Sequence, residues 1–226
     1  MIEIGAGVGS LSAYLSEAAA EVEAVEIDER LIPALEAVAG YYQNLRPLCA
    51  DALTLNLAKL TKNQNYLVIG NIPYNITSHL IRNLLEQDHP PDKLILTIQR
   101  EVALRVLAEP GQMNLLALGV QAYGKPVIRG DISANSFYPP PRVESSILSV
   151  EPFANPMIPK ENLDRVFLLA KTAFNQKRKQ LRNSLAGDHF LTDYGADLAF
   201  KEAGVKPTRR PQELSIEDWV RLARVG

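Results

Sequence analysis

The sequence contains very few residues that could form covalent cross-links or bind a metal. Its 226 residues include one cysteine, Cys49, and three histidines, His79, His89 and His189. A single cysteine excludes an internal disulfide and a cysteine-rich metal site, and the histidines do not have the spacing of metal ligands. The sequence therefore predicts a protein of a reducing compartment, the cytoplasm, with no metal site.

Long apolar runs and a strong excess of one charge are also absent. The longest apolar stretches, such as residues 114–120, are much shorter than the roughly 20 residues of a membrane-spanning helix. The 24 basic and 26 acidic residues give a net charge of -2, and 46% of the residues are hydrophobic. This composition excludes a disordered chain and predicts a soluble protein with a sizeable core.

Short apolar runs alternate with amphipathic stretches over residues 1–150. The predicted strands span residues 22–27, 66–69 and 94–98. The predicted helices span residues 11–20, 31–41, 77–87, 101–108 and 115–123. This alternation is typical of an α/β fold with a mainly parallel, doubly wound sheet. Residues 127–132 and 143–150 have no helix between them, which indicates an antiparallel pair at one edge of the sheet.

The composition changes at a proline-rich linker over residues 152–159. Helical patterns follow at residues 163–175, 177–185, 198–203 and 216–224. Ser215 has the position of an N-terminal cap for the last of them. The sequence therefore predicts an α/β domain of residues 1–152 and a small all-helical domain of residues 153–226.

Three glycines near the start of the chain, Gly5, Gly7 and Gly9, follow a short apolar strand with the spacing G-x-G-x-G. Glycine lets the backbone turn tightly and approach a ligand at the N-terminus of the next helix, although a tight turn without a ligand would also explain this loop. A nicotinamide-binding loop has its third glycine one residue later, where this chain has Ser10. Because the strand before the loop has almost no room, we expect the chain to lack an N-terminal segment.

Acidic residues stand where the next two strands should end. Glu26 could accept hydrogen bonds from both hydroxyls of a ribose, and Asp51 could accept one from an adenine amine. A solvated carboxylate would explain either residue alone. Together with the glycine loop, the two residues predict a nucleoside site.

The sequence Asn71-Ile72-Pro73-Tyr74 follows the fourth strand and belongs to the same edge of the sheet. The side-chain carbonyl of Asn71 can accept a hydrogen bond from an exocyclic amine and thereby aim the nitrogen lone pair at an electrophile. Pro73 fixes the local backbone, and Tyr74 offers a face on which a base can stack. An ordinary turn is the alternative, but a tyrosine beside a nucleoside site favours chemistry on a base.

These motifs and several later ones occur in the order found in one enzyme family. They comprise residues 5–9, Glu26, Asp51, and residues 71–74, 99–103, 137–145, 174–183 and 210–215. The first four resemble the motifs of Rossmann-like, S-adenosylmethionine-dependent N6-adenine methyltransferases. The later ones resemble those of the ribosomal RNA adenine dimethyltransferases that act on the small subunit. The resemblance covers essentially the whole chain, although the family ordinarily has a further segment before the glycine loop that closes over the cofactor.

The resemblance implies a Rossmann-like methyltransferase domain with a helical C-terminal domain, S-adenosylmethionine as the cofactor, and N6,N6-dimethyladenosine as the product. The chain would act as a monomer on the small ribosomal subunit, in ribosome biogenesis. The residues that would hold the cofactor are Gly5, Gly7, Glu26, Asp51 and Asn71. The catalytic residues would be Asn71, Pro73 and Tyr74, and the target adenine would stack between Tyr74 and Phe137.

Five basic residues between positions 171 and 182 form the predicted RNA contact. They are Lys171, Lys177, Arg178, Lys179 and Arg182. If residues 177–185 are helical, Arg178 and Arg182 share one face of that helix. A solvated charged face is the alternative, but the resemblance favours contact with the RNA backbone.

Three other functions remain open from the sequence. A large-subunit adenine methylase of the antibiotic-resistance type shares the core motifs, although the C-terminal helical pattern favours the small-subunit enzyme. A noncatalytic ribosome-assembly factor would keep the RNA surface without the chemistry. A nicotinamide oxidoreductase fits least well, because the glycine spacing differs and a nucleobase-type motif follows the fourth strand.

Overall fold

The computed structural model describes residues 1–62, 64–72, 76–186 and 195–225. The chain forms two compact units, each made of two segments. The first unit contains Met1–Ala103 and Lys125–Pro152, and the second contains Leu104–Gly124 and Phe153–Gly226. The predicted assignment of residues 1–152 and 153–226 as two domains stays a prediction. It differs from the two units in placing Leu104–Gly124 in the first domain.

Backbone hydrogen bonds explain why the segment before residue 124 belongs to the second unit. The amide of Phe153 donates to the carbonyl of Tyr123 at 2.8 Å, and the amide of Met157 donates to the carbonyl of Ala122 at 2.8 Å. These bonds join the chain before and after the last two strands. Periodicity along the sequence contains no signal for such a long-range pairing.

Within the described residues, the first unit is built around a seven-stranded sheet. Its strands are β1 (Ile2–Ile4), β2 (Val22–Glu26), β3 (Leu45–Cys49), β4 (Leu67–Asn71), β5 (Lys93–Gln99), β6 (Gly124–Ile132) and β7 (Ser145–Pro152). Their order across the sheet is β3-β2-β1-β4-β5-β7-β6. The first five strands pair in parallel, and β7 pairs antiparallel with β5. The predicted mainly parallel sheet with two strands at one edge is confirmed.

A helix follows each of the first five strands. These helices are α1 (Ser10–Ala18), α2 (Ile32–Ala39), α3 (Leu57–Leu60), α4 (Thr77–Leu85) and α5 (Arg100–Val106). On one side of the sheet, Leu15 of α1 and Leu35 of α2 pack with Val22, Ala24 and Leu45 of the strands. A strand covered by helices in this way buries residues on both faces, which explains why β1 is apolar at Ile2 and Ile4 and has no exposed position.

Gly70 allows β4 to lie close to β1 at the centre of the sheet. A Cβ atom at Gly70 would lie 2.4 Å from the backbone oxygen of Ile4 and 2.7 Å from Cδ1 of Ile72. Real Cβ atoms do not approach other atoms this closely, so any side chain at this position would push the two strands apart. Gly70 therefore fixes the spacing between the ends of β1 and β4.

The described part of the second unit is helical. Its helices are α6 (Leu115–Gln121), α7 (Leu163–Phe174), α8 (Leu181–Ser184), α9 (Ala196–Glu202) and α10 (Ile216–Ala223). Trp219 of α10 is fully buried, and its ring lies 5.9 Å from that of Phe174. Ser215 and Asp218 exchange side-chain and backbone hydrogen bonds at the start of α10, which confirms the predicted cap. In the part of the chain that the structure describes, every helix is too short or too polar to cross a membrane.

The predicted helix over residues 177–185 is wrong for its first half. The helix α8 contains only Leu181–Ser184, and residues 175–178 form turns before it. The amides of Leu181 and Arg182 donate to the carbonyls of Arg209 and Pro207, at 2.8 and 3.1 Å, instead of to carbonyls one helical turn earlier. Tertiary bonds to a distant segment therefore replace the helical bonds, and Arg178 and Arg182 do not share a helix face.

Candidate active site

The parallel strands bring four of the predicted site residues to one edge of the sheet. Gly5 follows β1, Glu26 ends β2, Asp51 follows β3, and Asn71 ends β4. The chain runs outward from β1 through β2 to β3 on one side and from β4 to β5 on the other, so its direction reverses between β1 and β4. In open α/β sheets, the crevice outside the carboxyl ends of the strands at such a reversal is the usual ligand site.

The glycine loop has a backbone conformation that few other residues adopt. The φ angles of Gly5, Gly7 and Gly9 are 73°, 58° and 88°. A Cβ atom at Gly7 would meet nothing within 4 Å, so the space beside this residue is open. Gly9, in contrast, packs against Leu35 and Val38 of α2. The loop therefore needs glycine at position 7 for its conformation, and it leaves room there for a ligand.

Glu26 anchors the glycine loop through its carboxylate. One oxygen accepts a hydrogen bond from the amide of Gly7 at 2.8 Å, and the other accepts from the amides of Ile27 and Asp28, each at 2.9 Å. The side chain is buried, with 7% of its surface exposed. A carboxylate can accept about four hydrogen bonds, so these three donors leave capacity for a hydroxyl group of a ligand.

Backbone hydrogen bonds fix the chain around Asp51 and Asn71. The Oδ1 atom of Asp51 accepts a hydrogen bond from the amide of Leu53 at 2.9 Å. The Asn71 side chain is exposed at the end of β4, and the next residue, Ile72, is buried and donates its amide to the carbonyl of Thr97 at 3.1 Å. The backbone around Asn71 is therefore fixed while its amide group remains accessible.

The other predicted site residues are only partly described. Pro73 and Tyr74 lie outside the described residues. Phe137 is half-buried and follows a short 3₁₀ turn, Ala134–Ser136, whose start is capped by Ser133. A stacking role for Tyr74 and Phe137 stays a prediction.

Glu3 is a buried acid two residues before Gly5, and the sequence analysis gave it no role. Its side chain is 1% exposed, and its Oε2 atom accepts a hydrogen bond from the hydroxyl of Ser12 in α1 at 2.5 Å. Burial raises the pKa of Glu3 to about 7, against the lowering effect of the Ser12 hydrogen bond, and the nearby Glu26 raises it further. Glu3 thus joins the strand before the glycine loop to the helix after it. The signal in the sequence was an acidic residue inside a buried strand.

We expect the stability of the protein to depend on pH through Glu3. Its folded-state pKa lies above the usual 4.5, so the folded protein holds this proton more tightly than the unfolded chain does. The free energy of unfolding should therefore fall as the pH rises from about 5 to 8, by on the order of 2 to 3 kcal/mol from this group. The replacement Glu3→Gln should remove that dependence, as measured by urea unfolding across this range.

Glu29→Gln is the control for this prediction. Glu29 is an exposed acid that follows β2, so its replacement should leave the pH dependence unchanged. An equal slope in wild type and Glu3→Gln would contradict a buried, proton-binding Glu3.

The five predicted RNA-binding residues all lie on the surface of the second unit. Lys171 belongs to α7 and Arg182 to α8, and the other three lie in the turns between these helices. Each of the five is exposed, and none forms an ion pair with another described residue. Arg209 and Arg221, in contrast, are paired with Asp218. The five residues therefore leave their charges available to an anionic partner.

A cavity of about 640 Å³ opens at the edge of the sheet opposite the predicted site. It lies beside the amino ends of the strands, near Met1, Glu21, Arg46 and Asn65. None of the predicted site residues that the structure describes lines it. The predicted site is therefore identified by the chemistry of its residues and by the strand order, and not by a cavity volume.

The model of the ribosomal RNA adenine dimethylase family matches residues 1–225. The chain belongs to this family. The resemblance found in the ordered motifs is therefore confirmed, and ribosomal RNA is the substrate class of the family. The roles of individual residues in the dimethylase stay predictions.

Curated relatives and solved structures agree with this relationship. The chain is 37% identical to ribosomal RNA small subunit methyltransferase A of Dehalococcoides mccartyi over 227 residues, which cover 100% of this chain and 78% of the relative. It is 39% identical to the protein of that name from Chelativorans, over 99% of this chain and 82% of the relative. A dimethyladenosine transferase from Plasmodium falciparum has a TM-score of 0.79 at 25% identity, over 98% of this chain and 87% of that one.

The 23S rRNA methyltransferase ErmE has the same fold as the dimethylase chain. Its TM-score is 0.72 at 24% identity, with 98% of this chain and 88% of that one covered. The fold therefore does not separate small-subunit from large-subunit enzymes. The predicted fold class, a Rossmann-like α/β methyltransferase fold, is confirmed by both solved structures.

Proposed function

We propose that this dimethylase transfers methyl groups from S-adenosylmethionine to the N6 amine of adenosines in small-subunit ribosomal RNA. The main support is that Gly7, Glu26, Asp51 and Asn71 all lie at the carboxyl edge of the sheet. The chain in which they do so is a member of the dimethylase family. The names of the curated relatives favour the small subunit over the large one. A monomeric state and a cytoplasmic location stay predictions.

The residues at this edge fit the cofactor. The open space beside Gly7 and the free acceptor capacity of Glu26 suit a ribose at the end of β2, and Asp51 suits an adenine amine at the end of β3. We assign cofactor binding to these residues together with Gly5 and Asn71. When bound, S-adenosylmethionine supplies an electrophilic methyl group, and this chemistry needs no metal.

Asn71 is the residue that we assign to the reacting amine. Its exposed side-chain carbonyl can accept a hydrogen bond from the N6 amine, which draws the nitrogen lone pair out of conjugation with the ring and directs it. Pro73 would hold the adjacent backbone, and the aromatic rings of Tyr74 and Phe137 would hold the base between them. A monomethylated amine keeps one hydrogen, so the same carbonyl can direct the second transfer.

The experiment that tests this function is transfer of tritiated methyl groups to undermethylated small ribosomal subunits and, in a parallel assay, to large ribosomal subunits, followed by nucleoside analysis of the RNA. The proposal expects label in N6,N6-dimethyladenosine. Label only in large-subunit RNA would favour the large-subunit methylase. Binding to small subunits without transfer would favour a noncatalytic assembly factor.

The basic residues of the second unit should make RNA binding depend on salt. Each phosphate contact contributes about 0.7 to 0.9 to the slope of log affinity against log salt concentration. The double replacement Lys171→Ala and Lys179→Ala should therefore lower this slope by about 1.5. Filter binding of a small-subunit RNA fragment at several salt concentrations measures it.

The matched control removes two other exposed lysines of the same unit, by Lys201→Ala and Lys206→Ala. The net charge of the two double variants is the same. An equal loss of slope in both would mean that binding follows net charge, and the assignment of Lys171 and Lys179 to phosphate contacts would be wrong.

A further inference from the structure

The second unit contains a cavity that takes no part in the site at the sheet edge. Its volume is about 360 Å³, near the lower end of the range of about 300 to 1,000 Å³ for small-molecule sites. Three basic residues, Arg105, Lys177 and Arg178, line it, and none of its lining residues in the described part of the chain is acidic. The cavity therefore suits a single small group that carries negative charge.

Gln212 lines this cavity, and its side chain contains an unsatisfied hydrogen-bond acceptor. Its Oε1 atom is buried and has no hydrogen-bond partner among the described residues. Its backbone is fixed, because the Gln212 carbonyl accepts hydrogen bonds from the amides of Gly111 at 2.7 Å and Met113 at 3.1 Å. A buried amide oxygen without a partner is unfavourable, so a ligand that donates a hydrogen bond here would be favoured.

The neighbouring amide in the cavity wall shows the opposite situation. The Oδ1 atom of Asn114 accepts from the amides of Leu116 and Ala117, and its Nδ2 atom donates to the carbonyl of Arg105. Asn114 is therefore occupied as the cap of α6. Gln212 differs from Asn114 because its side-chain oxygen has no partner among the described residues.

An aromatic ring completes the cavity. Phe174, the last residue of α7, lines it and packs against the buried Trp219 at a ring separation of 5.9 Å. A ring supported in this way is a suitable surface for a planar base, and base stacking on aromatic side chains tolerates any sequence. One nucleotide would match all three features of the cavity. The cations suit its phosphate, the hydrogen-bond acceptor suits an amine or hydroxyl group, and the aromatic ring suits its base.

We propose that this cavity binds one unpaired nucleotide of the RNA substrate, in addition to the adenosine that is methylated. The inference rests on the proposed function, which makes RNA the partner. Arg105, Lys177 and Arg178 would hold the phosphate, Phe174 would stack on the base, and Gln212 would accept a hydrogen bond from the base or the ribose. An acidic peptide would satisfy the charges but would leave the aromatic ring without a planar partner.

The test compares two RNA hairpins with the same loop and the same stem sequence, except that one stem is fully paired and the other contains a single unpaired 2-aminopurine nucleotide. Wild-type protein should bind the second hairpin about tenfold more tightly, and the fluorescence of the 2-aminopurine should change on binding. Gln212→Met keeps the length of the side chain and removes the acceptor. It should reduce the preference by about fivefold and leave affinity for the paired hairpin unchanged.

Gln180→Met is the matched control, because Gln180 is exposed and does not line the cavity. Arg105→Gln is a second variant at an exposed position, so that the test does not depend on the folding of Gln212→Met. Arg105→Gln should also reduce the preference. A preference that survives both cavity variants, or falls equally in Gln180→Met, would overturn the proposal.

Two further measurements distinguish binding of a nucleotide from binding of negative charge alone. A hairpin with an abasic residue at the unpaired position should lose most of the preference, because nothing then stacks on Phe174. If it keeps the preference, or if a polyglutamate peptide competes as well as the unpaired hairpin, the cavity binds charge only and the proposal is wrong. Methyl transfer to small subunits is measured on the same preparation. Methylation without a preference for the unpaired nucleotide would overturn this proposal alone. Loss of methylation with that preference retained would overturn the proposed reaction alone.

Discussion

Replacement of Asn71 by alanine is expected to lower the single-turnover rate of methyl transfer by about 10² to 10³-fold at saturating cofactor. The variant removes the carbonyl that would accept the hydrogen bond from the reacting amine and direct its lone pair. The free energy of unfolding should change by less than about 0.5 kcal/mol, because the side chain is exposed at the end of β4. Transfer to small subunits under single-turnover conditions, together with urea unfolding, measures both effects.

The segment that leads into β4 offers a control for this variant. Asn65 is also exposed and lies just before β4, at the opposite edge of the sheet from the site. Asn65→Ala should therefore leave both the rate and the stability unchanged. A normal rate in Asn71→Ala would contradict the assignment of Asn71 to the reacting amine.

Gly70→Ala should destabilise the protein by about 2 to 4 kcal/mol. The added methyl group would lie 2.4 Å from the backbone oxygen of Ile4, and backbone cannot move away as the end of a side chain can. The strands β1 and β4 would have to separate at the centre of the sheet. Equilibrium unfolding in urea measures the loss, which should appear as a lower midpoint.

A second glycine of the same sheet provides the comparison. A Cβ atom at Gly130, in β6, would meet nothing within 4 Å, so Gly130→Ala should change stability by less than about 0.5 kcal/mol. Similar stabilities for the two variants would contradict the close approach of β4 to β1.

The parts of the fold that depend on local pattern could be predicted from the sequence. The buried residues of α4, Leu80, Ile81, Leu84 and Leu85, lie on the face that their helical spacing predicts. The positions of Glu26 and Asn71 followed from the rule that parallel strands end at one edge. These features need only the period of the hydrophobic residues and the ends of the strands.

The features that were missed depend on contacts between distant segments. The helix predicted from residue 177 begins only at Leu181, because the amides there bond to residues 207 and 209. The hydrogen bond from Gly7 to Glu26 and the bond from Ser12 to Glu3 likewise join residues that no short motif connects. The buried oxygen of Gln212 has no signature in the sequence, because its lack of a partner is a property of the packed chain.

The position of β7 in the sheet has a consequence for how the protein is made. Because β7 pairs with β5 and lies between β5 and β6, the hydrogen-bonding edge of β5 stays open until the ribosome has synthesised β7. The 45 residues between Gln99 and Ser145 take a few seconds to emerge at about 5 to 20 residues per second. A nascent chain of this protein therefore exposes an apolar strand edge for that interval, and this is the stage at which we expect it to need protection by chaperones.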